Sequence, residues 1–224
     1  MTSVPSHLSS LTGGVVAVVA LVIALLSLVL LVPIILIVAN RSEPDARGMR
    51  PQSVYLFGMS FVTLQLTFAG SVLIVTSLIS LVAPHLSPLT NSVARAVVIG
   101  GLIVVLAGLA LVLHLGRGIE TARGDAGTTG PNLRVMRSYA AVVGFIYFLQ
   151  VIFALGVAVY LVFALVAPGV FGSIGSSRSG TLATLLDLVY VMVASAYIVA
   201  AHSALGPSAL TRQAAAGGGA APTT

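Results

Sequence analysis

Long apolar runs separated by short polar loops set the pattern of this chain. Gly14 to Ala39 carries no charged side chain and is almost wholly aliphatic. Four more runs follow at Val54–Ala83, Val93–Leu115, Tyr139–Ala167 and Leu182–Leu205. Each is longer than the roughly 20 residues that cross a hydrocarbon core, so the pattern predicts an all-α integral membrane protein with five transmembrane helices. The first run lacks the basic flank and small-residue cleavage site of a signal peptide and reads as an uncleaved helix. Pro33 removes a backbone donor within it and predicts a kink. At 1.5 Å per residue the second run would be about 45 Å long, which predicts tilt or protrusion from the bilayer.

The polar segments supply orientation. Residues 40–53 carry Arg41, Arg47 and Arg50, and residues 116–138 carry Arg117, Arg123, Arg134 and Arg137. Residues 206–224 form an Ala/Gly-rich tail with Arg212, expected to be disordered. Putting both loops and the tail in the cytoplasm leaves eight arginines inside and only Arg95 and Arg178 outside. The bias of arginine towards the cytoplasm then predicts a multi-pass cell-membrane protein with its N-terminus outside and its C-terminus inside.

Composition narrows the chemistry. Of 224 residues, 58% are apolar and 7% charged, too few charges to cover a water-soluble globule of this size. The absence of cysteine excludes disulfides and thiolate metal centres. All ten basic residues are arginine, so no lysine exists for a phosphate-binding P-loop or a Schiff base. The net charge of +5 is better explained by a cytoplasmic membrane face than by nucleic acid. No paired carboxylates, Ser-His-Asp set, HExxH or glycine-rich nucleotide loop occurs. The expectation is a non-enzymatic chain with no catalytic residues, metal or cofactor.

An internal repeat shapes the expected architecture. An offset of 84 residues matches Arg50 with Arg134, Tyr55 with Tyr139, Phe61 with Phe145 and Leu81–Pro84 with Leu165–Pro168. With Val75 on Val159 this makes eight identities in 35 positions, against roughly three by chance. A few inserted residues bring His114 onto His202. Two parallel helix hairpins, residues 50–117 and 134–205, then form a pseudo-twofold four-helix core, with the helix of residues 1–40 peripheral. An arginine shortly before an aromatic at one helix start, and a second helix ending in histidine then arginine (His114, Arg117), resembles a bacterial inner-membrane family of paired-helix repeats. That family is classed only as a domain of unknown function, and the resemblance spans about residues 50–205. It implies architecture and no particular chemistry.

Few residues remain to carry chemistry. Arg95 and Asp187 both fall towards the outer leaflet, where an ion pair would offset the cost of charge in lipid. Gln65 and Gln150 sit mid-helix and are expected to make interhelical polar contacts. Small residues four apart, Ala96 with Gly100 and Ala196 with Ala200, allow close helix approach. His114 and His202 could hold a haem b axially, but their helix-end positions favour interfacial hydrogen bonding. His7 and His85 are expected in outer segments, and the Asn40-Arg41-Ser42 acceptor pattern abuts a helix end on the inner side. The leading expectation is a non-catalytic structural or accessory subunit, packed through its helices against other membrane subunits or copies of itself. A small transporter or channel built on the repeat, and a haem- or quinone-binding electron carrier, are the alternatives.

Overall fold

A computed structural model describes residues 34–38, 48, 50–82, 93–124, 130–167, 170 and 178–205. Four long helices dominate: α1 (Arg50–Val82), α2 (Val93–Arg123), α3 (Pro131–Val166) and α4 (Arg178–Ser203). All four are long and apolar enough to cross a membrane. Among the described residues there is no strand. Most of the first apolar run lies outside the described residues, as do His7, Pro33, the Asn40–Ser42 pattern, His85 and the C-terminal tail.

The helices outrun their apolar cores at one end. α3 begins at Pro131 instead of Tyr139, and α2 continues past Leu115 to Arg123. Arg117, Arg123, Arg134 and Arg137, expected in a loop, therefore ride on helical turns. Proline at the first position of α3 explains its early start, because its missing N–H would have no intrahelical acceptor and its φ suits a helix. At the other end of α3 the Ala167 N–H donates to Phe163 O at 2.8 Å, closing the last turn. The 36 residues of α3 are about 54 Å long, well beyond a hydrocarbon core of about 30 Å.

α1 packs most extensively with α2, and α3 with α4. α1 also touches α3 and α4, and α2 touches α3, whereas any contact between α2 and α4 is marginal. Within the first pair the backbones come together at two glycines. A Cβ on Gly100 would lie 2.9 Å from Gly70 O, and one on Gly70 would lie 3.0 Å from Gly100 O. Further along, Gly118 lies under the Phe57 ring, where a Cβ would be 3.1 Å from it. Small residues thus allow the contact that the lipid, as apolar as leucine, would not drive by hydrophobicity.

The main core lies between α1 and α3, where Phe57, Phe61, Leu64, Met136, Tyr139, Val143 and Tyr147 are buried together. Leu36 is fully buried in the same cluster, so the segment at 34–38 docks against the bundle instead of standing apart from it. Towards the far end of α3 the buried positions are mostly small, at Ala154, Ala158 and Ala164, with the fully buried Leu161 between them. Elsewhere the apolar surface faces outward, as at Val98, Leu102, Val105 and Leu109 of α2.

Candidate functional site

The antiparallel pairing brings the start of α1, the end of α2, the start of α3 and the end of α4 to one end of the bundle. Ser53 Oγ donates to Asn132 Oδ1 at 2.5 Å, tying α1 to α3 there. Arg50, Arg117, Arg123, Arg134 and Arg137 all belong to this end, while Arg95 and Arg178 sit on the helix starts at the other. Both histidines belong to the arginine-rich end.

His114 and His202 are anchored alike. The Nδ1 of each lies against the carbonyl one turn back, Ala110 O at 2.7 Å and Ile198 O at 2.8 Å. A carbonyl can only accept, so Nδ1 carries the proton and Nε2 of the neutral ring offers a lone pair. Each ring also meets a tyrosine from the start of the partner helix. Tyr55 makes an edge contact with His114 at 6.0 Å between centroids, and Tyr139 lies 5.5 Å from His202. Only the second pair is hydrogen-bonded, with Tyr139 Oη donating to His202 Nε2 at 3.3 Å. The difference is burial: Tyr139 is 0% exposed and Tyr55 58%.

The structure does not present these histidines as two free axial ligands. Axial ligation needs two free Nε2 lone pairs facing a common space. Here the Nε2 of His202 is engaged by Tyr139.

The structure does not bring Arg95 and Asp187 together. Asp187 Oδ1 accepts from Thr76 Oγ1 at 3.0 Å, across the α1–α4 contact. Arg95 is exposed on α2, whose contact with α4 is at most marginal. A neutral hydroxyl, not an opposite charge, satisfies the carboxyl, and the arginine reaches outward from a helix end as long cationic side chains can. Gln65 and Gln150 are half-buried, and neither amide forms a side-chain hydrogen bond within the described residues. The interhelical bonds expected of them are therefore not made among the described residues.

Other polar groups line one face of α1. Ser53, Ser60, Thr63, Thr67 and Ser71 recur along one face of α1 at intervals of three, four and seven residues. Most turn their hydroxyls back to the backbone, Ser60 to Leu56 O and Thr67 to Thr63 O, each at 2.8 Å. The spacing was present in the sequence, whereas Thr76 and Asp187 lie 111 residues apart and nothing local links them. Near the middle of α3 and α4, the buried hydroxyls of Tyr147 and Ser195 have no hydrogen-bond partner.

Two cavities open at the arginine-rich end. One of about 440 Å³ lies between Ile37 and the first turns of α1, against Arg50, Val54 and Tyr55. The second, of about 290 Å³, lies between α3 and α4, with Arg137 and His202 in its wall. No protein-family model matches this chain, and no curated protein or solved structure matches it.

Proposed function

We propose that this chain is a non-catalytic accessory subunit of a membrane assembly, docking on other subunits through its lipid-level helix faces. The observation that carries this reading is the pair of half-buried amides, Gln65 on α1 and Gln150 on α3, unbonded within the described residues. An amide in hydrocarbon costs several kcal/mol unless its hydrogen bonds are met, and a neighbouring helix can meet them. Phe148 and Phe153 flank Gln150 and are more than half exposed, giving the same region of α3 a bulky apolar surface for a partner. The proposed architecture has five membrane crossings and two duplicated helix hairpins, with the N-terminus outside and the C-terminus cytoplasmic. The repeated Tyr–His contacts at the ends of the two hairpins support the duplication.

A photo-crosslinking residue replacing Gln65 or Gln150 in intact membranes tests the docking. A discrete adduct to a second polypeptide or to another copy of the chain is the expected result. Adducts to lipid alone, together with a monomer in native-lipid nanodiscs, would overturn the reading.

A further inference from the structure

The groove between α3 and α4 has a charged mouth and an apolar floor. Arg137, Ala141, Gly144 and Phe145 line it from α3, and Val199 and His202 from α4. The Nε of Arg137 is buried and has no hydrogen-bond partner. The other polar side chains of the wall are already committed. His202 is bonded through both ring nitrogens, to Ile198 O and Tyr139 Oη, and Ser203 gives its proton to Ala200 O at 2.7 Å. Among the described residues of the wall, the Arg137 guanidinium is therefore the one side chain with a hydrogen-bond donor left to offer. Glu120 on α2 and Asp187 at the far end of the bundle are the acidic residues described, and neither bonds it.

Depth and openness identify what fits. Arg137 lies six residues into α3, about 9 Å from its start, the level of headgroups for a helix that overruns the hydrocarbon. From there the groove descends about 12 Å along α3 to Phe145, which is 62% exposed. A Cβ at Gly144 would meet nothing within 4 Å, so the floor is open towards the lipid side. We infer that this groove binds an acidic phospholipid, with its phosphate on Arg137 and the upper part of one acyl chain along Ala141, Gly144 and Phe145. A soluble anion would leave the apolar floor uncovered. A zwitterionic lipid brings its own ammonium and leaves the guanidinium charge uncompensated, whereas an acidic headgroup neutralises it. The volume, just under the roughly 300 Å³ of a small ligand pocket, suits a headgroup neck and part of one chain.

This inference rests on the helices being membrane-embedded, and alkaline carbonate extraction checks that separately: release of the chain from membranes would overturn both readings. Native mass spectrometry of the purified full chain, titrated with phosphatidylglycerol or phosphatidylcholine, then tests the groove. One phosphatidylglycerol should be retained in preference to phosphatidylcholine, and inorganic phosphate should not displace it. Arg137→Gln should weaken phosphatidylglycerol binding about fivefold, the factor one arginine near an anionic surface is worth. Gly144→Leu should fill the groove and abolish the preference, while Gly101→Leu, at an equally open glycine on α2, should not alter it. Equal binding of the two lipids by the unmodified chain would overturn the assignment whatever the variants do, as would a preference untouched by Gly144→Leu.

Discussion

A histidine near the end of a membrane helix can give its Nδ1 proton to the carbonyl one turn back, and His114 and His202 both do. What separates them is the tyrosine opposite. Tyr139→Phe leaves the buried Nε2 of His202 without its donor, so it should lower unfolding free energy by about 1–3 kcal/mol. Tyr55 makes only a ring contact, and Tyr55→Phe should be close to neutral. Thermal unfolding in detergent of the two variants side by side measures the contrast. Asp187 gives a second residue-scale test. A double-mutant cycle between Asp187→Leu and Thr76→Val should show coupling of at least about 0.5 kcal/mol, since they share one hydrogen bond. The cycle between Asp187→Leu and Arg95→Gln should be additive to within about 0.5 kcal/mol, because the two residues sit on helices whose contact is at most marginal.

At the scale of helices, the α1–α2 pair is held where backbone meets backbone. A Gly100 Cβ would strike the Ile74 side chain and the carbonyl oxygen of Gly70, and the second cannot rotate away as a side chain could. Gly100→Ala should therefore push the helices apart and cost about 1–3 kcal/mol. The adjacent Gly101 faces open space, and there the same substitution should stabilise by up to about 1 kcal/mol through helix propensity alone. Opposite shifts in melting temperature at neighbouring glycines would locate the contact; equal shifts would show that α1 and α2 do not meet there.

At the scale of the whole molecule, the two hairpins share a sequence pattern but not a common environment. Tyr55 and Tyr139 match in the repeat, yet one faces outward and the other is core. Phe61 and Phe145 also match, and there the burial is reversed, 0% against 62% exposed. At both of these matched positions the two residues therefore stand in different surroundings. The arginine-rich end collects the aromatic core, the histidines and both cavities, and the bias of arginine predicts that it faces the cytoplasm. The chain has no cysteine, so single cysteines at Ser42, Ser87, Thr128 and Ser176 can report orientation. An impermeant thiol reagent applied to intact cells should label only Ser87→Cys and Ser176→Cys. The reverse pattern would invert the topology.

The sequence by itself determined the helical class, the existence of α1 to α4 and the collection of arginines at alternate helix ends. These follow from run length and from the price of charge in lipid, both of which are local in the chain. It also held the signal for the α1 hydroxyl face, in the three- and four-residue spacing of Ser60, Thr63, Thr67 and Ser71. Tertiary structure alone decided which polar groups meet. Uniformly apolar helices have no strongly marked face, so their rotation depends on where small residues permit approach. That rotation joined Asp187 to Thr76 instead of Arg95, buried Tyr139 but not Tyr55, and left Gln65 and Gln150 unbonded among the described residues. It also set Arg137 at the mouth of a groove whose other wall lies some sixty residues further along the chain, at Val199 and His202. Contacts between helices so distant in sequence depend on a packing angle, and no local pattern in the residues encodes it.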